Sequence, residues 1–346
     1  MPPAVMVSIL AYRSAATSER ALGSALALVH DGPLEVVVRE QGGDQDEFTR
    51  LRSIADGVGP GVGVSHGPNL GFAGGHNTAV RSSGAEIVVV LNADAWLDSD
   101  FLRDVIPAFA DPSVAAVQPK VLRHDGDQPT GTIDSAGLVP LRSRRVIGRG
   151  QGEPDGPAFD LPTEVFGPDG AVAVYRREAL EDVALPFGPE GAPEYFDEDF
   201  FAYKEDVDLA WRLRLRGWRT LYVPSARAWH LRTGRETSGQ GWWALRHERR
   251  HLPPGTERGF VNHRLLQLKD ERAGALLRDI GPFASREALA WAFRLRHPAQ
   301  AAESARAIAR LAPRMREKRR LIQGRRVPGD PVRPWIVPDR QVRTSR

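Results

Sequence analysis

The 346-residue chain contains no cysteine. Disulfides and thiolate metal sites are therefore excluded, in keeping with a reducing compartment. Long apolar runs are missing too. No stretch approaches the roughly 20 apolar residues that cross a bilayer. The opening MPPAVMVSILAY has neither a basic leader nor a long apolar segment, so it does not read as a signal peptide. A cytoplasmic location is the expectation. Net charge is small, +3, but its distribution is uneven. Between residues 306 and 326 stand Arg306, Arg310, Arg314, Arg316, Lys318, Arg319, Arg320, Arg325 and Arg326, opposed only by Glu317. A solvated helix face accounts for this run. So does peripheral contact with the anionic inner face of the cell membrane. No recognised nucleic-acid module accompanies it, so nucleic acid is not expected as a partner.

What is present fits a folded protein of one large or two ordinary domains, with 41% hydrophobic and 26% charged residues. The first half alternates two periodicities. VMVSILAY (5–12), LEVVVRE (34–40), VGVSHG (62–67) and EIVVVLN (86–92) read as strands. Helical stretches separate them, the first from about Ser18 to Val29. This alternation predicts βαβ units and a mostly parallel sheet with helices on both faces. Another strand is expected in DPSVAAVQPKVL (111–122), and a strand followed by a helix in GAVAVYRREAL (170–180). Residues 124–170, rich in Gly, Pro and Asp, predict loops and short strands. A helix should begin near Glu205 and stop at Gly217, with TLYVPS (220–225) as a strand behind it. Beyond about residue 236 the pattern turns helical and Arg-rich. The expected division is a domain over 1–235 and a helical extension over 236–346 whose last residues form a loosely held tail.

Four stretches carry chemistry. In NLGFAGGHN (69–77), glycines let backbone amides approach a ligand at a helix N-terminus, although a plain strand-to-helix turn explains them as well. In NADAW (92–96), Asp94 follows a buried strand, where ligands of parallel sheets bind. It reads either as a turn residue or as a ligand for a hard cation. FDEDFFAYKEDVDLAWRLRLRGW (196–218) interleaves carboxylates with aromatic rings. Glu205, Asp206 and Asp208 occupy a first helical turn, where the macrodipole favours negative charge. Asp208 and Arg212 are spaced for an ion pair. Asp206 points about 100° from Glu205 and is left for chemistry. In VPSARAWHLRTG (223–234), His230 reads as a packed histidine or as a metal ligand complementing Asp94.

Taken in order, NLGFAGGHN, VVVLNADAWLD, IDSAG (133–137), the acidic-aromatic stretch and YVPSARAWH resemble a family 2 glycosyltransferase with the GT-A fold. The closest likeness is to the bacterial rhamnosyltransferase and galactofuranosyltransferase branch, over roughly residues 5–235, with a weaker match in VNHRLLQLKD (261–270). The resemblance implies a Rossmann-like α/β sheet and an inverting, metal-dependent hexosyltransferase of cell-wall or polysaccharide synthesis. It implies Asp94 and His230 as ligands of Mg²⁺ or Mn²⁺, with Asn92 where the first acid of the metal motif often stands. It implies Asp206 as general base with Glu205 beside it. Tyr12, Asp44, Asn69, Gly71 and Gly75 are placed at the nucleotide, and Asp197, Glu198 and Trp96 at the sugar and acceptor. The expected donor is a dTDP- or UDP-sugar, rhamnose-like, and the acceptor a glycan or lipid-linked hydroxyl. Arg13, Arg39 and Glu40 depart from the family pattern at the base-binding end. That departure motivates an alternative, a nucleotide- or sugar-binding protein without catalysis. A metal-free glycoside hydrolase with paired carboxylates is a further alternative.

Overall fold

A computed structural model describes residues 1–14, 17–58, 61–231 and 256–340. The expected boundary at 235/236 lies outside these residues. The first strands are β1 (Val5–Ala11), β2 (Leu34–Glu40), β3 (Val62–His66) and β4 (Ile87–Asn92). Helices α1 (Ser18–Leu26), α2 (Gln45–Val58) and α3 (Gly71–Ser82) connect them. β1 runs parallel to both β2 and β4, and β2 parallel to β3. The expected βαβ frame is therefore present. β4 is unbroken Ile-Val-Val-Val-Leu because helices cover both faces of the sheet.

The chain then forms β5 (Ala95–Leu97), α4 (Phe101–Val105), β6 (Val114–His124), β7 (Pro129–Ser135), β8 (Leu138–Pro140), β9 (Val146–Gly148) and β10 (Thr163–Glu164). β11 (Val172–Arg176), α5 (Arg177–Val183), α6 (Glu205–Leu215) and β12 (Arg219–His230) follow. β11 inserts antiparallel between β4 and β6, and β12 lies parallel to β6. α6 ends as expected at Gly217, whose φ of 86° closes the helix.

Four more helices follow, α7 (Thr256–Asp270), α8 (Ala273–Arg278), α9 (Ile280–Arg294) and α10 (Pro298–Arg325), of which α7 and α10 pack beside α6. Their apolar residues, Val261, Leu265, Leu266, Met315 and Ile322, join Val207, Trp211 and Leu215 of α6 in one cluster. The expected loose tail is corrected as far as residue 340. Val332 and Ile336 are buried, the Val337 amide donates to the Pro140 carbonyl, and Asp339 accepts the Ser143 amide at 3.1 Å.

The same helices bring buried charge to the core. The Lys318 ammonium lies 2.8 Å from Glu194 and 2.8 Å from Asp199, and also pairs with Asp197. Lys269 pairs with Asp197 and Asp208, and Arg212 donates to Asp208 at 2.9 Å. Burial alone would raise the Asp197 pKa, but the two ammonium groups outweigh it and hold the carboxyl below its usual range. The basic run is thus partly internal. Lys318 is buried, Arg314 donates to Asp199, Arg319 to the Glu271 carbonyl and Arg325 to the Ala184 carbonyl. Arg306, Arg310, Arg316 and Arg320 stay exposed. At about 100° per residue they share about 120° of the helix surface. None of the described helices is long and apolar enough to cross a membrane.

Removing one member of a buried ion network leaves the others uncompensated. Lys318→Met should therefore destabilise the fold by about 3–5 kcal/mol, read as a lower urea midpoint. An unchanged midpoint would show that the carboxylates are neutralised elsewhere.

Candidate active site

β4 delivers Asn92 to the carboxyl edge of the sheet, and the chain turns at once into β5. β5 pairs antiparallel with the end of β12, setting His230 opposite Ala95 and beside Asp94. His230 Nε2 lies 3.1 Å from Asp94 Oδ1, and Nδ1 lies 2.8 Å from Asp134 Oδ2. Asp134, fully buried on β7, also pairs with Arg123 at 3.5 Å. Burial disfavours the imidazolium of His230. Its hydrogen bonds to Asp134 and Asp94 prevail and push the pKa up to about 9.

The donor set suits a divalent cation. Asp94 offers a hard oxygen and His230 an imidazole nitrogen. A carboxylate behind the far ring nitrogen is the usual backing of a metal-bound histidine. Ligand atoms 3.1 Å apart match the spacing of about 3 Å between neighbouring ligands at about 2.1 Å around an octahedral ion. A second group of acids, Glu194, Asp197 and Asp199, brings its oxygens within 4.8 Å of one another. The Lys318 ammonium already occupies the position a cation would take there.

Two cavities open at this edge. One, of about 670 Å³, is lined by Tyr12, Arg13, Asn69, Gly71, Asn92 and Asp94, among others. The other, of about 800 Å³, is lined by Asn92, Asp169, Glu205, Asp206 and His230, among others. Phe72, Asn92, Ala202 and Tyr203 belong to both linings, so the cavities share a wall. Asp94, His230 and Asp206 therefore converge on one cleft, although the chain separates them widely.

A strained loop sets Asp206 in place. Phe201, Tyr203 and Lys204 all have positive φ, at 61°, 75° and 76°. The Ala202 amide donates to the Phe200 carbonyl at 2.6 Å, closing a γ-turn of the rarer, strained kind at Phe201. Such backbone persists where its surroundings over-determine it. Asn262 on α7 supplies that constraint. Its Nδ2 lies 2.9, 3.0 and 2.8 Å from the carbonyls of Phe200, Ala202 and Tyr203. From the other side, Gly71 has φ 71°, and a Cβ there would stand 2.3 Å from the Phe201 carbonyl oxygen. The loop and the glycine turn thus fit only with glycine at 71.

Glu205 and Asp206 are both held above the usual carboxylate range. Burial and the neighbouring Asp206 raise Glu205 to about 8. Burial and Asp169 raise Asp206 as well. Asp206 accepts the amides of Val207 at 2.7 Å and Gly170 at 3.2 Å, whereas Glu205 Oε2 is buried with no hydrogen bond. Asp206 is thus the better hydrogen-bonded of the two carboxylates.

Five expected site residues line neither cavity and make packing, pairing or capping contacts. Asp197 is buried among lysines and lines neither cavity. Glu198 is turned to α3, accepting from Asn77 at 2.9 Å and Arg81 at 3.0 Å. Trp96 is buried under the Arg20 guanidinium, 3.4 Å from its ring centroid, with its ring against His124. Asp44 caps α2, accepting the amides of Asp46 and Glu47. Gly75 faces Leu10, whose methyls would stand 2.8 Å from a Cβ, so it serves close helix–sheet packing. Of the departures from the family pattern, Arg13 lines the smaller cavity, while Arg39 reaches the Pro68 carbonyl and Glu40 braces Gly42 and His66. Sequence reasoning missed Asp134, although IDSAG contains it, and Asn262, although VNHRLLQLKD contains it. It also missed Gln41, which bonds Leu70 and Gly71 across the glycine turn.

A family model described as "Glycosyltransferase like family 2" matches residues 2–251. Poly-beta-1,6-N-acetyl-D-glucosamine synthase of Staphylococcus aureus is 26% identical over 237 residues, 67% of this chain and 50% of that protein. The pre-mycofactocin glycosyltransferase of Mycobacterium tuberculosis is 29% identical over 171 residues, 49% of this chain and 32% of its own length. The chain thus spans half or less of these relatives. Among solved structures, GalNAc-T7 with UDP, GalNAc and Mn²⁺ aligns with a TM-score of 0.54 at 14% identity, covering 66% of this chain and 44% of that one. The mannosyltransferase PcManGT of Pyrobaculum calidifontis, with GDP-Man and Mn²⁺, aligns at 0.50 and 22% identity over 90% of this chain and 76% of that one. At these identities the two structures establish a shared fold.

Asn262→Ala should release the strained loop. Amide exchange over residues 200–206 should quicken at least about tenfold, the local opening having lost more than 1 kcal/mol, while β1 and β4 keep their protection. Uniform protection in the variant would show that the loop is held without Asn262.

Proposed function

Because the chain belongs to the glycosyltransferase-like family 2, we propose that it moves a sugar from a nucleoside-diphosphate donor to an acceptor hydroxyl, with Asp206 as general base. The observation that carries this reading is the convergence of Asp206 with the Asp94–His230 pair on one cleft. In the proposed step the acceptor oxygen attacks the anomeric carbon and the bond to the diphosphate oxygen breaks. The hydroxyl proton passes to Asp206, and the electron pair leaves with the diphosphate. Direct displacement from the opposite face inverts the anomeric centre.

The smaller cavity, with Tyr12, Asn69 and Gly71, is proposed for the nucleotide. Asp94 and His230 would hold Mg²⁺ or Mn²⁺, which when bound supplies positive charge to the diphosphate. Asp134 fixes the His230 ring by taking its Nδ1 hydrogen bond. Asp206, held by the Val207 and Gly170 amides, is the proposed base, with Glu205 beside it.

The finer reading, a rhamnose-like sugar on dTDP or UDP and a glycan or lipid-linked acceptor, rests on the motif likeness. N-acetylglucosamine comes next because a relative is named for its polymer. The division at 235/236 stays part of this proposal. So does peripheral contact with anionic membrane, which the exposed face of Arg306, Arg310, Arg316 and Arg320 supports.

Three outcomes test the reading. A thermal-shift screen of dTDP-, UDP- and GDP-sugars should find a stabilising donor whose effect needs Mg²⁺ or Mn²⁺, and Asp94→Ala should remove the metal-dependent part. Asp206→Asn should lower transfer by about 10²–10⁴-fold with nucleotide affinity unchanged. Full transfer in both variants would end the assignment. The wild-type rate should fall as pH drops through an apparent pKa above the usual carboxylate range, because the base works only when deprotonated and its pKa is raised. A rate flat down to pH 4 would exclude Asp206 as base.

A further inference from the structure

The larger cavity holds more positive charge than its carboxylates compensate by contact. Arg145, Lys204, Arg264 and Arg286 all line it, brought from the β8–β9 turn, the strained loop, α7 and α9. Glu287 serves two of them, 2.7 Å from Arg264 and 3.0 Å from Arg286. Arg264 also stacks on Phe260 at 3.4 Å, and Arg286 donates to His263 at 2.7 Å. Among the described residues, the Lys204 ammonium and the Arg145 guanidinium have no ion-pair partner. Lys204 lies in the field of Asp206, Glu205 and Asp169 but within 4.0 Å of none of them, and Arg286 lies in that of Asp339.

Like charges gathered around one space cost folding free energy, and a cleft of one sign concentrates counter-ions. The titration of neighbouring groups agrees. Burial, then Arg286, Lys204 and Arg264, hold His263 well below its ordinary pKa, so the imidazole adds no charge. Burial lowers Lys204 too, and Arg286 adds to the effect. The donor diphosphate, on the reading above, is met by the cation that Asp94 and His230 would hold. The remaining positive field therefore falls on whatever enters beside Asp206.

We propose that Arg145, Lys204 and Arg286 bind an oxyanion carried by the acceptor, a phosphate or a carboxylate, and so orient its hydroxyl toward Asp206. This rests on the reading of the Asp206 cleft as the acceptor site. It narrows the acceptor to anionic glycans or phosphate-bearing carriers. Planar guanidinium groups take such oxygens in pairs, and a mobile ammonium follows the charge.

The test is calorimetry on the full chain in EDTA, with inorganic phosphate and glucuronate as separate probes. EDTA keeps the donor end metal-free. One or both probes should bind the wild type, more weakly as salt is raised. Lys204→Gln, Arg145→Gln and Arg286→Gln should each weaken binding about tenfold or more, the loss of a charge-assisted bond. Excess UDP should not displace the probe. Phosphate binding alone points to a phosphorylated carrier, and glucuronate binding alone to an acidic sugar. Binding of neither probe overturns the proposal. So does binding indifferent to Lys204 and Arg145, or displacement of the probe by UDP, which would place the anion at the donor end. Arg145 is exposed and Lys204 makes no ion pair, so these two variants keep the result readable if Arg286→Gln melts early. The nucleotide-sugar screen is read independently, so failure of one reading leaves the other decidable.

Discussion

Two buried ammonium groups, those of Lys269 and Lys318, join the parts of this molecule. Each comes from a C-terminal helix, and together they reach Glu194, Asp197 and Asp199 before the strained loop and Asp208 within α6. A buried ion pair is a poor source of net stability compared with apolar packing. Its effect here is specificity. The carboxylates are intolerable in the core unless α7 and α10 dock in one register, and docking in that register also brings Asn262 over the loop. The position of Asp206 thus depends on residues more than fifty positions further along the chain.

The site divides its acids by environment. Asp94 and Asp134 flank a histidine and share its protons. Asp206 accepts two backbone amides. Glu205, one residue earlier, has the same chemistry but, among the described residues, no donor on one oxygen, and burial and Asp206 push its pKa up to about 8. Asp197 has its charge offset by two lysine ammonium groups. Carboxylates within one short stretch therefore differ by what the fold turns toward each of them.

The basic residues divide in the same way. Lys318 and Arg319 are internal fasteners, Arg306 and Arg310 remain in water, and Lys204 and Arg286 face the larger cavity. A count of positive charge in the sequence foretells none of these fates. The net charge of the chain is small, yet the local potential at the cleft is set by which side chains the fold turns into it.

The sequence alone determined what is local or periodic. Apolar runs marked β1 to β4 almost to the residue, β4 most plainly, because a strand covered on both faces favours apolar side chains throughout. Gly217 marked the end of α6 because few residues take its backbone conformation without strain. The ordered motifs pointed to Asp94, His230 and Asp206. Tertiary structure decided which polar residues meet. Asp134 backs His230 from 96 positions away, and Asn262 clamps a loop about 60 positions before it. Asp197, Glu198, Trp96, Asp44 and Gly75 turned out to be packed, paired or capping. A carboxylate in a sequence looks the same whether a ligand or a lysine will face it, and only the folded chain supplies that second group.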